Sequence, residues 1–394
     1  MNSGALAELI QKVLSTGLDG QALSDNDELK RLASEIEKLP EYQHVHGKKF
    51  QVPGGYNTVS SERVARQVVS RAREEGVDSA IDALARFLAQ QETPGRIVML
   101  ISSIELESTA MLGSGVEIFP VDALQSNTYS ILKEDIYSKF ENIPQDLSAN
   151  KPSAALLLSH VVRPAFDDEF TADDRYVEAL QTLEDARRCF TFFGPSTPMT
   201  VAHWWEGELD PLHFGFYGIF GSQGIELVGQ GHSHRMTDAE LDKYRAYWGA
   251  FGKLPLKQQR VLRVVLDRLN RALRRWGSVD MAIELGIAME AFFLSDLDET
   301  TELSYRLRLR SAWWLGADKK ARRELLQWAG VVYGCRSRAV HTGYLAERLG
   351  EPAKYRGQDT RVFLRAACQR VLEAVALALE RGGMPDWSSL VLGD

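Results

Sequence analysis

Arg336 and His341 stand five positions apart in the stretch V-V-Y-G-C-R-S-R-A-V-H-T-G-Y, residues 331–344. A guanidinium stays charged at any working pH, and its fork of donors fits a phosphate. An imidazole passes protons near neutral pH. Cleavage of RNA by its own 2′-hydroxyl needs both services: proton transfer, and positive charge on the phosphorane as it forms. That chemistry requires no metal. Of the 8 histidines, only His341 has an arginine five to seven positions upstream. A plainer alternative stands beside this one. A cationic side chain in a last helical turn suits the negative end of the helix dipole, and Gly343 would stop such a helix. Five residues turn a helix by about 500°, which leaves the two side chains about 140° apart. Either the helix ends before His341, or a second copy of the chain completes the site.

Other residues fit around this pair. Ser337 and Arg338 lie inside the motif, and Arg338 could touch the scissile or a flanking phosphate. Arg260, Arg263, Arg271 and Arg274 fall on one narrow arc of a helix, because eleven residues make almost three turns. They could track an RNA backbone or form a solvated face paired to acids such as Asp267. Glu284 and Glu290 stand on an otherwise apolar helix. Either could orient His341, or form a salt bridge to an arginine of the bundle. Arg306 and Arg310, followed by Trp313 and Trp314, admit a base-stacking reading or ordinary core packing. His44/His46 and His232/His234 lack a third ligand at metal-site spacing. No P-loop, nucleophile elbow or zinc-finger spacing is present. No metal and no cofactor is expected.

The elements that must position these residues fall into two kinds. Residues 4–16, 27–39, 62–75 and 77–91 have helical spacing, with an aromatic, basic, Pro-Gly-Gly loop at 42–56. After Thr93-Pro94-Gly95 the period changes to that of strands: 96–106, 116–119, 154–162, 189–193, 199–205, 214–220 and 224–228. A helix at 176–188 lies among them. Thr237-Asp-Ala-Glu240 is a capping box that opens a helix to Phe251, and Gly252-Lys-Leu-Pro255 marks a junction. From there the chain reads as helices only: 256–276, a second to about 294, 302–315 capped by Thr300 or Thr301, one capped by Asp318 to about Val340, and 360–381 capped by Asp359. Short connections between long amphipathic helices predict an antiparallel bundle. The fold class is therefore α+β and multidomain: a helical lead at 1–92, a mixed α/β region at 93–252 read as a sensor, and an all-α bundle at 253–385.

The chain has 394 residues, ample for such an organisation. Its net charge of −8 hides an asymmetry. Residues 253–382 hold 24 basic and 15 acidic side chains (+9), which leaves 22 and 39 (−17) of the 46 and 54 for the remainder. A basic module joined to an acidic one suggests different partners for each. The 3 cysteines are widely spaced and suggest reduced thiols in a cytoplasmic protein. No leader-like or membrane-spanning stretch is read in the sequence.

Three blocks in order resemble the HEPN superfamily, and within it the Apea-like HEPN group. They are A-I-E-L-G-I-A-M-E-A-F-F-L (282–294), E-L-S-Y-R-L-R-L-R-S-A-W-W-L-G (302–316) and V-Y-G-C-R-S-R-A-V-H-T-G (332–343). The resemblance covers about a third of the chain. It implies that the helical bundle at 253–385 is HEPN-like and forms a homodimer, with the Arg-x4–6-His motifs of two subunits facing one cleft. Arg336 and His341 fall at the motif positions. The implied activity is a metal-independent endoribonuclease in anti-phage defence or a toxin-like system, with RNA as partner. A phage-derived or small-molecule trigger would act at the N-terminal region. The alternative is a catalytically inactive dimerisation or RNA-binding scaffold, which the same family also implies, with a ligand-sensing N-terminal domain suggested by the charge asymmetry.

Overall fold

The computed structural model describes residues 3–16, 26–52, 55–138, 151–163, 165–168, 174–207, 212, 231–297 and 302–392. The chain opens with α1 (Ser3–Ser15), α2 (Asp27–Glu37), α3 (Pro40–Gln43), β1 (Lys49–Val52), β2 (Gly55–Thr58), α4 (Ser61–Glu75) and α5 (Val77–Leu88). Local chemistry sets the ends of these helices. Asn26 caps α2 by accepting from the Glu28 and Leu29 N–H groups, and Ser60 caps α4 by accepting from Arg63. Gly76, at φ 94°, ends α4 and starts α5, a turn that a Cβ would strain. Their apolar faces meet in a core of their own, with Ile10, Leu32, Tyr42, Phe50 and Phe87 at its centre.

A five-stranded antiparallel sheet follows, in the order β5–β6–β7–β3–β9. Its strands are β3 (Thr93–Ser102), β5 (Ala110–Gly113), β6 (Val116–Pro120), β7 (Pro152–Val162) and β9 (Thr200–Gly207). The interior strand β3 carries an unbroken apolar run, residues 97–101, because both faces of the sheet are covered. Ile97, Met99 and Ile101 point to one core, and Val98 and Leu100 to another. α6 (Asn127–Ser138) contributes Tyr129 and Ile136 to the second. β4 (Ile104–Glu105), β8 (Phe166–Asp167) and β10 (His234–Arg235) are short; β8 extends the β1–β2 hairpin and β10 pairs with β4. α7 (Asp174–Cys189) packs on β3 and β7.

The rest is helical: α8 (Asp238–Lys253), α9 (Leu256–Arg274), α10 (Ser278–Phe293), α11 (Leu303–Leu315), α12 (Lys319–Thr342), α13 (Thr360–Glu380) and α14 (Trp387–Leu392). The capping box at Thr237 forms as read, with Glu240 closing it. One continuous core runs from Ile97, Met99 and Ile101 of the sheet, through Phe190, Tyr244 and Trp248, to Leu285, Val332 and Trp387 of the bundle. Sheet and bundle thus bury apolar surface against one another. Among the described residues no helix is long and apolar enough to cross a membrane.

Three expectations are corrected. Residues 189–193 do not form a strand: α7 continues to Cys189 and a 3₁₀ turn spans Phe190–Phe192. The aromatics that suggested a strand stack on α8 instead, Phe190 on Tyr244 at 4.4 Å and Phe192 near Tyr247 at 5.1 Å, so packing overrides β propensity. The stretch at 42–56 holds a short helix and a hairpin besides its loop. α11 starts after Glu302, at φ 54°, with no side-chain cap. Thr300 and Thr301, and the strands read at 214–220 and 224–228, lie outside the described residues.

Sheet and bundle are also joined by reciprocal ion pairs. Arg263 of α9 grips Asp185 of α7 with two nitrogens, at 2.7 and 2.9 Å. In return Arg187 and Arg188 of α7 reach Asp267 of α9, at 3.2 and 2.9 Å. The Asp185 side chain is only 5% exposed, so its charge depends on these partners. Arg263→Ala leaves that carboxylate to Arg188 and Gln181 alone and is expected to cost about 2 kcal/mol in urea unfolding; a cost under about 1 kcal/mol would show that the junction does not rely on it. Burial pushes the Glu184 carboxyl up, but Arg187, the Thr200 hydroxyl and Arg188 outweigh burial and hold it below its ordinary value. Its stabilising contribution is therefore full above the unfolded pKa of about 4.3 and is lost as pH falls through the lower folded value. Unfolding measured from pH 7 to pH 3 should lose part of its acid slope in Glu184→Gln.

Candidate active site

Asp318 caps α12 by accepting from the Ala321 N–H at 2.8 Å, and the helix runs unbroken to Thr342. Gly343, at φ 64°, closes it with its N–H on the Ala339 carbonyl. The helix ends two residues beyond Val340 and includes His341. An early end that would free His341 to swing round is thereby excluded. The two motif side chains leave one continuous helix about 140° apart.

Arg336 faces α10. Its side chain crosses Gly286 so closely that a Cβ there would lie 2.2 Å from the arginine Cγ. Beyond the glycine, Nη2 donates to Glu290 Oε2 at 3.2 Å. Both side chains remain about a quarter exposed, 26% and 25%. The Nε–H of Arg336 is out of water and has no hydrogen-bond partner among the described residues. A buried donor without an acceptor costs about 1–3 kcal/mol, and an incoming oxygen would relieve it.

His341 is exposed and makes no hydrogen bond to a described residue. Ser337 and Arg338 precede it by four and three residues and so share its face. Arg338 is exposed, with no ion pair among the described residues. The cation beside His341 within one chain is therefore Arg338, while Arg336 lies round the helix against Glu290. Cys335 is buried, and burial pushes its thiol up, so it stays protonated and is no nucleophile.

The two glutamates separate in role. Glu290 belongs to the Arg336 side chain. Glu284 instead accepts from Arg268 at 2.9 Å and from Arg275 at 3.4 Å, tying α9 to α10, and does not orient His341. The arginine arc divides too: Arg263 is held by Asp185 and Arg274 is buried, while Arg260 and Arg271 are exposed. Four arginines in register along an RNA backbone are not what α9 presents, because the arc straddles the boundary between its buried and exposed faces.

Arg310 is buried on the Phe293 carbonyl and Asp296. Trp314 packs in the core with its N–H on the Ala374 carbonyl, and Trp313 lies under Arg322 at 3.8 Å. His46 bonds Tyr42, and His234 bonds Glu240 at 2.9 Å. Among the described residues no group of three His, Cys, Asp or Glu could hold a metal ion.

Comparison with models of protein families, with curated proteins and with solved structures finds no match to the chain. Sequence reasoning missed Gly286. Its signal was a glycine inside the apolar helix of 282–294, where the backbone of α10 must let a side chain pass. Gly286→Ala is expected to destabilise by about 1–3 kcal/mol through overpacking. In an Arg336→Ala background the same change should cost nothing, since alanine is the better helix former. Urea unfolding of the four proteins checks this; equal costs in both backgrounds would mean that Arg336 does not lie across Gly286.

Proposed function

We propose that the chain is a metal-independent endoribonuclease of the HEPN type, working as a homodimer. The observation that carries this reading is the disposition of α12, with an arginine donor left without an acceptor on one side and an unpartnered histidine on the other. One copy does not aim Arg336 and His341 at a single phosphate. A second copy facing the first supplies the missing half, Arg336 of one motif with His341 of the other.

In this reading His341 takes the proton of an RNA 2′-hydroxyl, whose oxygen attacks the adjacent phosphorus. The bond to the 5′-oxygen breaks, and that oxygen leaves with a proton from solvent water. Arg336 holds the charge that builds on the phosphorane. Arg338, beside His341, holds a flanking phosphate. Products end in a 2′,3′-cyclic phosphate and a 5′-hydroxyl. The acidic N-terminal two-thirds regulates the basic bundle, as an anti-phage or toxin-like effector would require, in response to a phage-derived or small-molecule trigger.

The second reading, an inactive dimerisation or RNA-binding scaffold, is favoured by one observation: Arg336 already has a carboxylate partner in Glu290. Total RNA incubated in EDTA separates the two. Under the first reading the wild type cleaves it, His341→Ala and Arg336→Ala lose at least about a hundredfold, and the fragments carry cyclic phosphate ends. If the wild type protects cells against phage and both variants protect equally, the scaffold reading holds.

A further inference from the structure

A cavity of about 340 Å³ opens on the bundle between α12, α13 and the segment that joins them. This falls within the roughly 300–1,000 Å³ typical of small-molecule sites. Its floor is aromatic: Trp328, Phe363 and Tyr355, exposed by only 3%, 6% and 8%. Tyr355 meets Phe363 edge-on at 5.2 Å, which fixes the floor as a rigid surface.

Two charges stand at the rim, Arg370 and the Asp359 carboxylate, which caps α13 by accepting from the Val362 N–H at 2.9 Å. The Arg370 guanidinium lies 5.3 Å from the Trp328 ring centroid and has no ion pair among the described residues. The nearby Lys354 is neutralised by Glu324 at 2.7 Å, so that carboxylate is engaged. Arg370 remains charged at any working pH, with its fork of donors uncommitted. Gln358 adds an amide to the same rim.

We infer that this cavity binds a nucleotide, with the base on the Trp328–Phe363 floor and the phosphate on Arg370. An aromatic floor, a guanidinium over its Trp328 ring and a side-chain amide at its edge together match a planar base that carries an anion. An aliphatic ligand would leave the charge unmatched, and a bare anion would leave the apolar floor uncovered. The nucleotide comes free or as a unit of an RNA strand, and the titration below distinguishes the two. The site does not rest on the nuclease reading, since Trp328 lies more than three helical turns before His341 on α12.

Calorimetric titration of the full chain with AMP, hexaadenylate, ribose 5-phosphate and inorganic phosphate tests it. AMP or hexaadenylate should bind, and Arg370→Gln should weaken that binding at least about tenfold. Ala366→Trp, at an exposed position in the cavity wall, should abolish it by filling the space. Binding of AMP assigns the site to a free nucleotide, and binding of hexaadenylate alone assigns it to a strand. Absence of binding by both at millimolar concentration overturns the proposal. So does binding unaffected by Arg370→Gln, or equal binding of ribose 5-phosphate.

Discussion

Burying Asp185 constrains the rest of the molecule. A carboxylate at the seam between the sheet and the bundle must be matched in place, and Arg263 and Arg188 match it from two helices. Asp267 takes the opposite arrangement with Arg187 and Arg188. These pairs fix the position of α9 against α7. Through Arg268, Arg275 and Glu284, α9 is fixed in turn against α10. α10 offers Gly286 and Glu290 to Arg336. Each step relates the charge of one helix to that of the next, so the angle at which Arg336 is held depends on packing far from it.

The same seam bears on how regulation could operate. The sheet does not hang from the bundle by a linker; Ile97, Met99 and Ile101 share a core with Leu285 and Val332. Removing the first 235 residues would strip apolar cover from the bundle, so truncation confuses loss of control with loss of fold. Neutralising Asp267, at 33% side-chain exposure, strips no apolar cover from the bundle and loosens the pairs that join α7 to α9.

The helices were legible in the sequence because their signals are local. Asp318, Asp359, Ser60 and Thr237 cap as their types and spacing dictate. The strand at 154–162 was legible for the same reason, as an apolar β-branched and leucine-rich run. Residues 189–193 were not, because their aromatic content fits a strand equally well and only the tyrosines of α8 decide between the two. At the site, the two motif residues and Glu290 could be picked out as types at a spacing. That Glu290 pairs with Arg336 while Glu284 pairs with Arg268 and Arg275 depends on helix packing, which one chain's periodicity does not encode. The partition of the α9 arginines was hidden likewise, since Arg263 turns inward only because Asp185 of α7 is there.

The central claim is that Arg336 and His341 act across two copies of the chain. Mixing Arg336→Ala and His341→Ala proteins, each inactive alone, and assaying RNA cleavage in EDTA tests it most directly. A composite site predicts that mixed dimers recover cleavage, because each contains one intact Arg336 facing one intact His341. A mixture that exchanges subunits yet stays as inactive as its parents, alongside an active wild type, would contradict the account.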